Sequence, residues 1–272
     1  MKKTLRIIIK ILSYIFIKII NKILKKTNYK ILPALNDLKK LDFIYDKKTR
    51  RLVLGNNKNQ FKKIYIDTSF YDSELCNLGK KYSSNKSPMN LGGHRSGFSG
   101  LYSILFFQQK NRKIKLAEIG IEKNASTQMW RKYFKDAEIH GFEFDKQKIK
   151  RAKKQKLKKT FYHKTDVTNP KIIDESFKKT KIKYDIIIDD STHIFEHQIN
   201  VINECFKYLN KDGILIIEDI YKNDNLYNES NYYNRLKKIK KNFREIVFIE
   251  TLNMNNYTAG WKNEKILFFV KK

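Results

Sequence analysis

The chain has 272 residues, with 58 Lys+Arg against 28 Asp+Glu and a formal net charge of +30. Hydrophobic residues make up 41%, including 18 Phe and 16 Tyr, which excludes a wholly disordered chain. The length suits one catalytic domain with an extension, or two small domains. Two cysteines, Cys76 and Cys205, exclude a disulfide framework and a Cys-rich zinc site and point to a reducing compartment. The cations are 49 Lys and nine Arg. Sequence-reading nucleic-acid binders favour the planar fork of Arg, so this balance argues against a base-recognition surface. A general attraction to polyanions remains, including anionic membranes and glycans.

Residues 1–30 stand apart. The segment from Leu5 to Leu24 is rich in Ile and Leu, interrupted by Arg6, Lys10, Lys18 and Lys22. Its longest uncharged stretch runs only from Ile11 to Ile17, far short of the ~18 residues of a membrane span. At helical spacing Ile8, Ile9, Leu12, Phe16, Ile19, Ile20 and Ile23 share one face, although Ile7, Ile11 and Ile17 fall among the cations. The pattern predicts a basic amphipathic helix lying in an anionic membrane surface. Docking on the chain's own domain or on a partner subunit is the other reading. Beyond Pro33, residues 51–54 and 61–66 have strand character around the turn residues Gly55-Asn56-Asn57, which predicts a hairpin. Four glycines, Gly92, Gly93, Gly97 and Gly100, mark a loop, and residues 101–107 open a helix.

From residue 113 strands and helices alternate. Strands are expected at 115–121, 138–144, 160–167, 184–190, 213–220, 245–252 and 265–272. Helices are expected at 126–134 with Ser126 as a possible cap, 146–157, 171–179 behind Pro170, 194–210 and 229–242. The run Ile186-Ile187-Ile188 suits a strand covered on both faces. Phe195, Ile199, Ile202, Phe206 and Leu209 form the inward stripe of the 194–210 helix, with Cys205 beside it as a core thiol. The Lys-rich helix at 146–157 reads as a solvated face rather than a nucleic-acid patch. This alternation predicts an α/β, doubly wound, Rossmann-like fold with seven strands and an N-terminal helical and mixed extension. The expected division is 1–30, a basic helix; 31–110, an extension covering the site; and 111–272, the catalytic domain.

Ligands of doubly wound sheets bind at the carboxyl ends of the strands. There the sequence places Glu118 and Gly120, Glu143 and Asp145, Asp166, Asp189 and Asp190 with His193, and Glu218-Asp219. Five successive acidic strand ends are hard to obtain by chance. An acid about 20 residues after a glycine turn suits a ribose diol, and Glu143 lies 23 residues after Gly120. The first turn lacks the full G-x-G-x-x-G, so a nucleoside without a diphosphate, S-adenosylmethionine, fits better than a dinucleotide. Asp190, Glu218 and Asp219 offer hard oxygen ligands for Mg²⁺ or Mn²⁺. His193 is placed to act as a general base. A plainer reading has Asp190 capping the helix that starts near Ile194, with His193 in its first turn.

The stretches LAEIGIEKNASTQMWRKYF, HGFEFD, DIIIDDSTHIFEHQ and LNKDGILIIEDI resemble the metal-dependent class I S-adenosylmethionine methyltransferases. Within them they are most similar to the sugar O-methyltransferases of macrolide tailoring. The resemblance extends upstream through 78–86 and 98–106, with His94 between them, and downstream through 260–265. It runs from about residue 76 to the end. It implies that Glu118 and Gly120 lie along the cofactor's methionine and ribose, that Glu143 holds the ribose hydroxyls, and that Asp166 stands beside the adenine. Asp190, Glu218 and Asp219 match the metal ligands and His193 the base. Adjacent strand residues face opposite ways, so only one of Asp189 and Asp190 is expected at a metal, which leaves Asp189 to the cofactor side. Asn124 replaces a glycine of the family's first loop, where Asn tolerates a left-handed backbone. Asn85, Phe98 and Ser191 are further departures, and they bear on the acceptor.

The expected activity is therefore divalent-metal-dependent methyl transfer from S-adenosylmethionine to a hydroxyl of a sugar or glycan precursor. A phenol or catechol is the alternative acceptor, and a basic nucleic-acid-binding protein the alternative class. The expected partners are a small-molecule or glycan substrate and, through residues 1–30, an anionic membrane surface. The expected location is the cytoplasm, peripheral on the inner membrane face. Self-association is left open.

Overall fold

The computed structural model describes residues 2–24, 61–90, 96–222, 224–253 and 265–272. The chain divides into two compact units, 1–58 and 59–272. In the first, helix α1 spans Lys2–Ile23. No helix among the described residues is long and apolar enough to cross a membrane. The hairpin partner expected at 51–54, its Gly55-Asn56-Asn57 turn, Gly92, Gly93, His94 and 260–264 lie outside the described residues.

The second unit is built on one sheet of eight strands. They are β1 (Lys62–Asp67), β2 (Lys115–Ile119), β3 (Glu138–Glu143), β4 (Thr160–Lys164), β5 (Tyr184–Asp189), β6 (Leu209–Ile217), β7 (Phe243–Leu252) and β8 (Lys265–Lys271). Their order across the sheet is β1-β7-β8-β6-β5-β2-β3-β4. β8 runs antiparallel to both its neighbours and every other pairing is parallel. The expected count of seven strands is thus one short. β1, the described strand in the expected stretch 61–66, pairs in parallel with β7 in the register Lys62↔Val247. Residues 59–110 belong to the same compact unit as the sheet.

Helices cover both faces. α2 (Glu74–Lys81), α3 (Phe98–Leu105) and α4 (Ala125–Tyr133) bury Leu75, Phe98, Leu101, Tyr102, Met129 and Trp130 on one side, against Leu116, Ile139, Ile186, Ile188 and Ile216. α6 (Pro170–Thr180), α7 (Phe195–Cys205) and α8 (Glu229–Leu236) cover the other, where Ile173, Phe177, Ile199, Ile202 and Tyr232 meet Ala117, Phe142, Ile187 and Leu215. α5 (Lys146–Lys154) buries Ile149 and Ala152 and leaves most of its lysines solvated. From Ile186 in β5 and Ile214 in β6 onward, the alternation therefore sends even-numbered residues to one core and odd-numbered residues to the other.

Local signals set the helix starts. Asp145 and Asn169 accept from first-turn amides, and Pro170 fills the first turn of α6. α4 begins one residue earlier than expected. Its cap is Asn124, left-handed at φ 66°, rather than Ser126. The 194–210 helix ends at Cys205, and Leu209 opens β6 instead of completing the helix stripe. Cys76 and Cys205 are both buried free thiols.

Among the described glycines, the one with least room for a side chain lies at the end of β2. Gly120 has φ 86°, and a Cβ there would stand 2.1 Å from the carbonyl oxygen of Asp190. Both the left-handed backbone and the close approach require glycine. Gly120→Ala is expected to cost at least about 2 kcal/mol in urea unfolding. A change below about 0.5 kcal/mol, the range of neutral surface substitutions, would show that this turn has room to open.

Candidate active site

The register Ile119↔Asp189↔Ile217 aligns the carboxyl ends of β2, β5 and β6. A cavity of about 970 Å³ lies along this edge and continues past β3 and β4. Gly120, Glu143, Asp166, Asp190, His193, Glu218 and Asp219 all line it. Glu118 and Asp189 do not.

At one end of the cavity stands Glu143. Its Oε1 accepts from the amides of Phe144 at 2.9 Å and Asp145 at 3.0 Å. Its Oε2 accepts from Ile121 and Glu122, both at a long 3.3 Å, and so keeps capacity for hydroxyl donors. Asp166 is tied into its own loop, its Oδ1 accepting from the Thr168 amide and hydroxyl.

At the other end Asp190, His193 and Asp219 converge, with one ligand atom from each within 4.8 Å of the others. His193 Nε2 lies 3.5 Å from Asp219 Oδ2 and 4.0 Å from Asp190 Oδ1. Both His193 (φ 60°) and Asp219 (φ 54°) hold left-handed backbones. Non-glycine residues seldom adopt this conformation unless their surroundings impose it. The restraint on His193 is visible. The Tyr227 hydroxyl donates to the His193 carbonyl at 3.0 Å and accepts from the Phe195 amide at 3.2 Å, bridging the turn. Gln198 Nε2 donates to the Glu218 carbonyl at 3.0 Å, and Gln198 Oε1 accepts from the Tyr232 hydroxyl. The helix cap of α7 is Ile194, so the plainer role for Asp190 as a cap is not realised.

Three expected site residues take other places. Asp189 closes β5 on the side of α7 and α8 and is 2% exposed, away from the cavity. Glu118 faces the opposite core, where Thr127 Oγ1 donates to it at 2.9 Å and Trp130 Nε1 at 3.0 Å. It stands behind the cavity wall. Glu218, expected as a metal ligand, reaches the cavity edge but has both oxygens engaged. Tyr102 donates to Oε1 and the Lys86 ammonium to Oε2.

Lys86 is the residue that sequence reasoning missed as a functional element. It is 3% exposed, donates to Asp190 Oδ2 at 2.5 Å and to Glu218, and lies 3.9 Å from Glu118. Burial alone would push its ammonium down, but Asp190, Glu218 and Glu118 together hold it above the usual lysine range. Burial pushes Glu118 and Glu218 upward, with Lys86 opposing in each case. Lys86 lies in the 78–86 segment that carried the resemblance, and no periodicity marks it as buried.

These contacts set two expectations for stability. Lys86→Met strands buried carboxylates and should cost about 3–5 kcal/mol in urea unfolding. Adding Glu218→Gln should restore more than half of that, and a double variant no more stable than the single one would place the role of Lys86 elsewhere. Asp189 is pushed by burial from 3.8 to about 6. Its proton is held more tightly in the folded state than in the unfolded one, so the ionised form costs stability as pH rises from about 4 through 6. Asp189→Asn should therefore stabilise by about 1–3 kcal/mol at pH 8 and by nothing below about pH 4. A gain independent of pH would contradict the burial argument.

Comparison with known proteins bears on the family and the fold. Residues 123–267 match the family model described as a methyltransferase domain. A tetracenomycin-type 3'-O-methyltransferase of Streptomyces olivaceus, whose substrate carries a 2-methoxy-alpha-L-rhamnosyl group, is 26% identical over 159 residues, 54% of this chain and 37% of the relative. The demethylmacrocin O-methyltransferase of Streptomyces fradiae is 25% identical over 131 residues, 46% of this chain and 32% of that one. The chain thus spans about a third of the length of these curated relatives. Among solved structures, the MycE methyltransferase of the mycinamycin biosynthetic pathway, in complex with Mg, SAH and mycinamycin VI, superposes with a TM-score of 0.56 at 18% identity. That superposition covers 74% of this chain and 55% of the other. A family model that covers more than half of the sequence, on a sheet of the same architecture, leads to one conclusion: the chain belongs to the methyltransferase-domain family.

Proposed function

We propose that the chain is an S-adenosylmethionine-dependent O-methyltransferase, assisted by a divalent cation, that acts on a hydroxyl of a sugar or glycan precursor. One observation carries the reading. A single cavity joins a carboxylate suited to a ribose diol, Glu143, to a cluster of two carboxylates and an imidazole, Asp190, Asp219 and His193.

Each residue has a defined task. Glu143 accepts from the ribose hydroxyls, with its loose Oε2 contacts giving way to them. The Gly120 turn brings bare backbone to the cofactor. Asp166 borders the same end of the cavity. Bound here, S-adenosylmethionine supplies an electrophilic methyl group on its sulfonium. Asp190 and Asp219 would hold Mg²⁺ or Mn²⁺, which would lower the pKa of an acceptor hydroxyl. Their oxygen donors lie close enough together for one cation, and the hard oxygen set suits these two metals. Glu218 supports this pair from behind through Lys86 rather than offering a free oxygen. His193 Nε2 takes the hydroxyl proton, and its left-handed turn, bridged by Tyr227, aims the ring at the cluster. Alignment of acceptor oxygen and methyl group provides much of the acceleration.

The cavity lining favours a polyhydroxylated acceptor over a phenol. The segment carrying Lys86 contributes Ser83, Ser84, Asn85, Asn90 and Ser96, whose hydroxyls and amides suit sugar hydroxyls. Of the described aromatics on the cavity, Phe98 and Phe142 are buried, and the exposed Phe144 stands next to Glu143, at the cofactor end.

The test is a calorimetric titration of the purified chain with S-adenosylmethionine. Micromolar binding is expected, weakened about 10- to 100-fold by Glu143→Ala, the cost of removing a charged hydrogen-bond acceptor. Methylation of a sugar acceptor should then fail with EDTA and fall by at least about 100-fold in His193→Gln. A folded chain that does not bind the cofactor would overturn the proposal.

A further inference from the structure

Helix α1 lies in its own compact unit. Ile11 and Ile17 lie among the cations and are half-buried, while one arc of the helix is wholly apolar. Ile9, Leu12, Phe16, Ile19 and Ile23 are all exposed, by 53% to 73%, and recur at intervals of three and four residues. At 100° per residue they fall within an arc of about 80°, and Ile15, also exposed, borders it. Lys18 and Lys22 are exposed well to one side of this arc. Exposed apolar side chains are ordinary when scattered, but a continuous stripe of this length needs a partner.

We propose that this stripe seats on an anionic lipid bilayer, with α1 lying in the plane of the surface. Two observations select that occupant. First, Lys2–Ile23 contains six cations and no carboxylate. A second copy packed along the same seam would align cations on both helices with no acidic residue on either to pair them, whereas two-helix seams are matched by opposite flanking charges. Anionic headgroups supply the missing sign along the whole polar face. Second, the apolar arc is narrow and the helix is not apolar enough to cross a membrane, which is the pattern of a helix lying at an interface. A nucleic acid would satisfy the cations but offers no apolar layer for Phe16 and its neighbours. The inference rests on α1 alone and stands or falls apart from the methyl-transfer reading.

The experiment is co-sedimentation of the full chain with vesicles of phosphatidylcholine alone and with phosphatidylglycerol added. Binding is expected only to the phosphatidylglycerol vesicles, weakening as salt is raised. Lys18→Gln with Lys22→Gln should reduce it about thirtyfold, from about a fivefold loss per surface lysine. Phe16→Glu with Ile19→Glu should abolish it. Both double variants should keep the thermal unfolding transition of the unit 59–272, which separates loss of docking from loss of folding. Equal binding to both vesicle types would overturn the proposal, as would binding unaffected by either pair. So would absence of vesicle binding in a chain that light scattering shows to be a dimer dispersed by Phe16→Glu with Ile19→Glu. Retention on RNA but not on vesicles would overturn it equally.

Discussion

The whole catalytic edge depends on one buried cation. Parallel strands deliver their carboxyl ends to a common line, and this sequence ends them in acids. Gathering Glu118, Asp190 and Glu218 within a few ångströms, with little water, is strongly unfavourable unless a positive charge enters with them. The Lys86 ammonium is that charge, and it arrives from a segment 104 residues before Asp190 and 132 before Glu218. The ion cluster thereby also attaches the segment 83–90 to the sheet edge, which builds one wall of the cavity from chain that precedes the βαβ units. Tyr102, on α3, closes the cluster from the same side by donating to Glu218.

Around this cluster the sheet sorts its acids by parity and by one further residue of chain. Glu118 and Glu218 sit on the even-numbered face, under α3 and α4, where Trp130 and Lys86 satisfy them. Asp189 is odd-numbered and falls under α7 and α8, where burial keeps its proton near pH 6. The residues just past the strands, Asp190 and Asp219, line the cavity, with Asp190 Oδ2 accepting from Lys86. Their proximity to His193 follows from two left-handed turns, at residues 193 and 219, fixed from beneath by Tyr227 and Gln198. At Asp189 and Asp190 a buried acid and a cavity-lining acid thus differ by a single position.

That distinction marks the limit of what the sequence discloses. The alternation of elements, the acidic strand ends and the left-handed tolerance of Asn124 are local properties, and all three are present in the structure. The role of Asp189 was not legible because the sequence extends β5 to residue 190, and a strand end uncertain by one residue leaves open which acid clears the core. Glu218 reads as a free ligand until Lys86 and Tyr102 are brought to it, and no short-range pattern encodes a contact across more than a hundred residues. β1 is a similar case. Its described partner is β7, nearly two hundred residues away, and a parallel pairing leaves no turn signal between the two strands.

The charge distribution bears on which ligands the cavity would retain. The chain carries +30 overall, yet the cavity is lined by Glu122, Glu143, Asp145, Asp166, Asp190, Glu218 and Asp219 against Lys86, Lys123 and Lys148. An acidic hollow in a basic body repels anionic acceptors at close range and favours neutral or cationic ligands. On the proposed reading the cofactor enters with a positive sulfonium, and methyl transfer removes that charge. The same acids that attract the donor would then hold the spent product less tightly. A neutral polyhydroxylated acceptor is indifferent to this field and is positioned instead by the serine and asparagine side chains beside Lys86. Selection of the donor by charge and of the acceptor by hydrogen bonding would thus be carried by different walls of one cavity, joined at the cluster that Lys86 holds together.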